Sequence, residues 1–454
     1  MELDHIHRVY LIGVGGIGMS GLARYFVKRG CIVCGYDKIE TNLTDDLRHE
    51  GIPITCEDHI DSIPLSFQEP DPGTLIIYTP AIPKDSAILN YFKTKHFKLK
   101  KRAEVLGIIS QKMFTIAVAG THGKTTTSCI IAHILKDSGY DCSAFLGGIS
   151  NNYHSNILFG KNNVLVVEAD EYDRSFLTLH PNIAVITSMD ADHLDIYGDE
   201  NQLMESFRLF TSQLKPEGHL IYRSGLQLNH VQGAISYAVN ETADIQALNI
   251  HIKDGKFVFN FKNTTHTIED ILFTLPGLHN IENALAAIEV ALILGIPADK
   301  IKQALASFKG VKRRFEYVVK TDRHIYIDDY AHHPEELRAC IKAVKRLYPD
   351  KKLTTIFQPH LFTRTRDFAD EFVEVLSMVD ELIILDIYPA RELPIEGINS
   401  EMLLKKIDLT RKYKYEKKEA VKFVQDQQPE LLLTVGAGDI DTLINPLKNA
   451  LKHA

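Results

Sequence analysis

The residues best suited to chemistry are Gly120-Thr121-His122-Gly123-Lys124-Thr125-Thr126-Thr127, a glycine loop between an apolar strand pattern and a helical one. A loop in that position turns backbone N–H groups toward a phosphate, and the helix N-terminus adds a favourable dipole. Lys124 reaches the outer phosphates of a nucleoside triphosphate, and the Thr125 hydroxyl suits Mg²⁺. Val118 stands where the strict phosphate-loop pattern has glycine, so this loop starts late. A bare Gly-Lys-Thr turn capping a helix is the competing reading; the buried strand in front of the loop favours phosphate. Two more strand ends carry acids or histidine. Val164-Leu165-Val166-Val167 runs into Glu168-Ala169-Asp170-Glu171, and the run 183–188 leads to Asp190-Ala191-Asp192-His193. Parallel α/β sheets bind ligands beyond the carboxyl ends of their strands, and carboxylates there suit a hard cation. Taken with the loop, Glu168 and His193 are candidates for metal and catalytic roles.

A second glycine loop, Gly13-Val14-Gly15-Gly16-Ile17-Gly18, follows the strand pattern 9–12, and Asp37 ends the next strand about twenty residues on. This is the dinucleotide fingerprint in its proper context, and it says that a diphosphate can rest on backbone amides there. NAD, FAD and a UDP-sugar all carry one. Alone, this loop makes an oxidoreductase the leading reading; the loop at 120 shifts it. Farther on, Asn280 and Asn283 share a helix face, with helix capping by Asn280 as the simpler alternative. Arg313-Arg314-Phe315, Asp328-Asp329-Tyr330-Ala331-His332-His333-Pro334 and Gln358-Pro359-His360-Leu361-Phe362-Thr363-Arg364 lie at further strand ends. Together they suit an anionic substrate, although each alone reads as a surface ion pair.

The elements that position these residues alternate between strand and helix, which predicts α/β units with parallel sheets. Three blocks are expected: 1–107, 108–311 and 312–454. The first has strands at 9–12, up to 37 and at 74–79, with a helix over Ile17–Lys28. The second has strands at Phe114–Ala119, 164–167 and 183–188. Polar–apolar alternation over 243–275, with Asp254-Gly255 as a hairpin signal, predicts inserted antiparallel strands. Helices follow at about 279–294 and 298–308. The third block has strands at 324–327, 352–357, 381–387 and Leu431–Val435.

Composition bounds the rest. The chain has 454 residues and a net charge of −8, which disfavours a nucleic-acid-coating role. Six cysteines are too few for a disulfide framework. Cys31 and Cys34 sit in a strand pattern that sends them to opposite faces, as core residues. No apolar run reaches the length of a membrane span, and the N-terminal residues are unlike a signal peptide. A cytoplasmic protein without a membrane partner is expected.

These motifs together resemble the Mur ligases, the ATP-dependent amide ligases of bacterial peptidoglycan synthesis. The resemblance covers essentially the whole chain, and the first glycine loop and the Asp-Asp-Tyr-x-His-His-Pro run are similar to the alanine-adding branch. It implies three domains: an N-terminal Rossmann-like UDP-binding domain, a central P-loop ATPase-like domain with inserted antiparallel strands, and a C-terminal Rossmann-like domain. It implies that UDP-N-acetylmuramate and L-alanine are joined at the lactyl carboxylate through an acyl phosphate, with ATP and Mg²⁺ or Mn²⁺, by a monomer or homodimer. Gly120, Thr121, His122, Gly123, Lys124, Thr125, Thr126, Asn280, Asn283, Arg314 and Asp329 are then ATP contacts. Thr125, Glu168 and His193 are metal ligands, and Lys124, His193, Glu168 and Arg314 are catalytic. Gly13, Gly15, Gly16, Ile17, Gly18 and Asp37 hold the UDP-sugar, and Tyr330, His332 and Arg364 face the amino-acid or muramoyl end. Leu361 stands where the branch often has arginine, and Thr79-Pro80-Ala81-Ile82 replaces paired serines before Ala-Ile. Phe207 stands where several sister ligases carry a modified lysine. A recycling ligase that adds a tripeptide to the same sugar is the nearest alternative; its first loop usually reads Gly-x-Cys-Gly-Thr.

Overall fold

The computed structural model describes residues 3–190, 197–253, 255–390 and 392–452. Arg8–Ile12 forms the central strand of a five-stranded parallel sheet, in the order Ile54–Thr55, Ile32–Tyr36, Arg8–Ile12, Thr74–Tyr78, Leu99–Lys101. Period-two alternation splits its side chains between two cores. Val9 and Leu11 join one apolar cluster, and Tyr10 and Ile12 join the other. Cys34 is buried in the second cluster while Cys31, just outside the strand, packs against the first. The expected opposite facing of this pair is what the structure has. Helix Ile17–Lys28 has the bounds read from the sequence. Helix Arg102–Gln111 carries the chain through position 107 to the next sheet.

That sheet has ten strands. Its inner part runs Ile183–Ile186, Phe114–Ala119, Val164–Glu168, all parallel, because each is buried on both faces and reads as a continuous apolar run. Beyond Val164–Glu168 lie Ser143–Ser150 and Ser155–Leu158, neither of which the sequence pattern announces. On the far side come His219–Arg223, Ile235–Val239, Ile245–Lys253, Lys256–Lys262 and Thr267–Phe273; the last three lie where alternation predicts inserted strands, although Ile245–Lys253 pairs parallel with Ile235–Val239, not antiparallel as expected. Helices Leu278–Ile293 and Ala298–Ser307 fall where expected.

By compactness the chain divides into two units. The first runs to Asn249 and includes Phe259–Ile271 and Glu282–Phe308; the second comprises Ile250–Val258, Leu272–Ile281 and the chain from Lys309. The second unit carries a six-stranded sheet, in the order Glu316–Lys320, Ile325–Asp329, Leu431–Val435, Leu353–Phe357, Glu381–Ile384, Lys412–Lys414. Only its first strand is antiparallel to its neighbour. Ile325 and Ile327 face one core and Tyr326 the other.

Candidate active site

The loop after Phe114–Ala119 is shaped by two glycines with positive φ. Gly120 lies at φ +139° and Gly123 at +80°, and a Cβ on Gly123 would stand 2.7 Å from Asn283 Oδ1. Any residue with a Cβ would be strained at that φ and would clash with Asn283. The end of the neighbouring strand braces the loop. Ser188 Oγ accepts from the His122 N–H at 2.7 Å, the Thr187 hydroxyl donates to the Ala119 and His122 carbonyls, and the Asp190 N–H donates to Thr121 Oγ1 at 3.1 Å. His122 Nε2 is 3.5 Å from Asp190. Thr187 and Ser188 are therefore part of the loop's architecture, which sequence reading of the strand end did not assign.

Lys124 begins helix Lys124–Asp137 and turns back over the loop. Its Nζ donates to the Gly120 carbonyl at 2.5 Å and the Thr121 carbonyl at 3.3 Å, and pairs with Glu171 at 2.8 Å. Burial on its own depresses this ammonium, but Glu171, then Asp170 and Glu168, raise it to about 12. It stays charged at any working pH. Thr125 and Thr126 follow, each 7% exposed.

Glu168 ends its strand beside Gly147, whose N–H donates to Glu168 Oε2 at 3.0 Å. A Cβ at 147 would lie 2.1 Å from that same oxygen. Gly147 thus makes room for the Glu168 carboxylate. The hydroxyl of Thr125 and the carboxylate of Glu168 are hard oxygen donors that fit Mg²⁺. His193, the third expected ligand, lies outside the described residues. Among the described residues no cluster of three or more His, Cys, Asp or Glu side chains forms a metal cage, so the fit rests on these oxygen donors.

The first glycine loop shares a cavity of about 130 Å³ with this carboxylate, lined by Gly18, Arg102, Phe145, Asn156, Glu168 and Asp170 among others. Gly13 has φ +89°, and a Cβ there would meet Thr79 Cγ2 at 2.6 Å, so the Thr79 segment packs onto the loop. Asp37 Oδ2 accepts from the Gly15 N–H at 2.7 Å. The helix that begins at Ile17 is anchored by Asn156, 1% exposed. Its Nδ2 donates to the Ile17 carbonyl at 2.5 Å, and its Oδ1 accepts from Arg24. Arg102 pairs with Asp170 at 3.2 Å.

In the second unit, Asp329 ends strand Ile325–Asp329 and accepts from the Phe315 and Ala331 N–H groups, each at 2.7 Å. Burial raises its carboxyl to about 6, opposed by Arg314 and by those two donors. Arg314 lies 3.7 Å from Glu336 and 5.0 Å from the Tyr330 ring centroid. Arg313 instead pairs with the fully buried Asp328 at 2.9 Å and donates to the Gly436 carbonyl, so these two charges bracket the fold. His332 Nδ1 is 2.9 Å from the Tyr330 carbonyl and 3.3 Å from Glu336. Arg364, 6% exposed, reaches His360 at 3.5 Å, and the His360 ring stacks on Tyr388. Leu361, in place of the arginine, sits at φ +71°. His360, part of the run singled out in the sequence, and Tyr388, which the sequence reading did not single out, join Tyr330, His332 and Arg364 at these strand ends. Asn280 is not the helix cap: it stands inside Leu278–Ile293, buried, with Nδ2 donating to the Pro276 carbonyl at 2.6 Å.

Three family descriptions match the chain in order: Mur ligase family, catalytic domain, at residues 8–113; Mur ligase middle domain, at 118–291; and Mur ligase, glutamate ligase domain, at 313–438. A UDP-N-acetylmuramate--L-alanine ligase of Christiangramia forsetii is 49% identical over 452 residues, covering 100% of this chain and 99% of that protein. The ligase of the same name from Flavobacterium psychrophilum is 50% identical, covering 99% of each. Among solved structures, the UDP-N-acetylmuramate-alanine ligase MurC of Thermotoga maritima aligns with a TM-score of 0.83 at 28% identity, over 98% of both chains.

Proposed function

The chain belongs to the Mur ligase family, and on that premise we propose that it is an ATP-dependent ligase joining L-alanine to the lactyl carboxylate of UDP-N-acetylmuramate. Mur ligases act in peptidoglycan synthesis. The observation that carries the reading is the Gly120–Lys124 loop with the Glu168 carboxylate at the adjoining strand end, in a chain about half identical to alanine-adding ligases over its full length. No helix among the described residues is long and apolar enough to cross a membrane.

A free carboxylate does not form an amide at neutral pH, because its oxygen is a poor leaving group. One lactyl carboxylate oxygen attacks the γ-phosphorus of ATP, the bond to the bridging oxygen breaks, and ADP leaves. The neutral amine of alanine then attacks the acyl carbon, the tetrahedral intermediate expels phosphate, and the amine proton is lost to solvent or base. Gly120, Thr121, His122, Gly123 and Thr126 cradle the phosphates while Lys124 neutralises charge on the outer ones. Thr125, Glu168 and His193 would hold Mg²⁺, which when bound offsets the repulsion between the two approaching anions. Asn280, Asn283, Arg314 and Asp329 are further ATP contacts. Gly13, Gly15, Gly16, Ile17, Gly18 and Asp37 hold the UDP-sugar, and Tyr330, His332 and Arg364 face its muramoyl end and the amino acid.

The test is phosphate release from ATP and Mg²⁺. Release that needs both UDP-N-acetylmuramate and L-alanine supports the proposal. Release only when a tripeptide replaces alanine moves the assignment to the recycling ligase, and no release with either returns the Gly13 loop to the oxidoreductase reading.

A further inference from the structure

Glu171 has no part in the steps above, yet it is only 1% exposed and both of its carboxylate oxygens lie within 2.9 Å of Lys124 Nζ. The same ammonium donates to the Gly120 and Thr121 carbonyls. An ammonium has three N–H donors, and the two loop carbonyls together with Glu171 already occupy all of them. Glu171 is also firmly placed. Its carbonyl accepts from the Tyr197 hydroxyl at 2.6 Å and from the Arg174 N–H at 2.9 Å, and Tyr197 is 1% exposed. The next residues, Asp173 and Arg174, turn sharply at φ +52° and +54°. On the other side, Asp170 is tied to Arg102 and accepts from the Tyr172 N–H.

We propose that Glu171 is a positioning residue that holds Lys124 over the ATP-free loop and yields it to the outer phosphates when ATP binds, thereby setting the loop's affinity for nucleotide phosphate. The inference rests on reading this loop as an ATP site. A phosphate reaching Lys124 meets a carboxylate already on the same cation, and two anions cannot both be close partners without repulsion. The arrangement keeps the lysine charged and aimed while the loop is empty, at the expense of binding strength. A merely structural brace predicts the opposite sign: its loss leaves a buried ammonium without its counter-ion, loosens the loop and weakens binding.

Calorimetric titration of the full chain with ATP, ADP and adenosine in Mg²⁺ separates these. Glu171→Gln keeps the shape and removes the charge. It is expected to bind ATP at least tenfold more tightly, about 1.4 kcal/mol, with adenosine unchanged, and to lower the KM for ATP rather than raise kcat. If the Gln variant does not fold, Glu171→Asp, one methylene farther from Lys124, is expected to give a smaller tightening for ATP and none for adenosine. ATP binding that is unchanged or weaker in the folded variant overturns the inference, as does equal tightening for adenosine. Absence of ATP binding by the parent chain removes the loop reading itself and the inference with it.

Discussion

Gly147→Ala tests the Glu168 assignment without touching any proposed ligand. The backbone at 147 lies in strand Ser143–Ser150 and is not in the left-handed region, so alanine is tolerated there and stabilises a strand by roughly 0.5–1 kcal/mol over glycine. Its methyl group, however, would stand 2.1 to 2.3 Å from all three carboxyl atoms of Glu168. Ordinary contact begins at about 3.4 Å, so the carboxylate must retreat by about 1 Å, which its flexible stem allows cheaply. It also loses the short approach to the Gly147 N–H. A catalytic group displaced by about 1 Å costs about 10²-fold in rate. The expected outcome is a thermal midpoint unchanged or slightly higher, a fall in kcat of about 10², and a rise in the Mg²⁺ concentration needed for half-maximal phosphate release. The assay is coupled phosphate release across a Mg²⁺ series, with calorimetric melting of the same samples. A variant of parental activity and parental Mg²⁺ dependence would refute the placing of Glu168 at the metal.

Three further residues give testable outcomes. Lys124→Ala is expected to lower ligation by 10² or more while leaving far-UV circular dichroism unchanged, and a loss within about tenfold would remove Lys124 from the chemistry. Asp329, with its carboxyl raised to about 6, should impose an acid limb on kcat/KM that is absent in Asp329→Asn; a parent profile flat from pH 5 to 7.5 would count against it. Because its folded pKa lies above its unfolded one, the same group favours folding below pH about 4 and loses that contribution as pH rises through about 6. His279 has the opposite sign: burial, aided by Arg314 and opposed by Glu336, lowers it to about 4. Its contribution to stability is present above about 6.5 and lost as pH falls toward 4, so His279→Gln should resist acid unfolding better than the parent in chemical denaturation at pH 4.5.

The strands that position the site were legible because parallel strands buried on both faces must be apolar throughout, as in Phe114–Ala119 and Leu431–Val435. Helix Ile17–Lys28 was legible because glycines mark its start. Strand Ser143–Ser150 was not, since Gly147 and Gly148 interrupt its pattern, and the reason for Gly147 is a carboxylate twenty-one residues later. Lys412–Lys414 and Glu316–Lys320 are sheet-edge strands whose polar residues hide them. Within the site, the glycines, Lys124 and Thr125 follow from local motif physics. The Lys124–Glu171 pair joins residues forty-seven apart, and the Thr187 and Ser188 braces lie more than sixty residues from the loop they hold. Only the folded chain brings them together. Capping was the simpler alternative for Asn280 because Asn at a helix start commonly caps it, whereas here the helix already begins at Leu278.

The most direct test of the central claim follows oxygen. UDP-N-acetylmuramate labelled with ¹⁸O in its lactyl carboxylate is turned over with ATP, Mg²⁺ and L-alanine, and the released phosphate is analysed by mass spectrometry. Activation through an acyl phosphate predicts one labelled oxygen in each phosphate formed, with the other retained in the amide. Unlabelled phosphate, or label appearing in AMP, would contradict it.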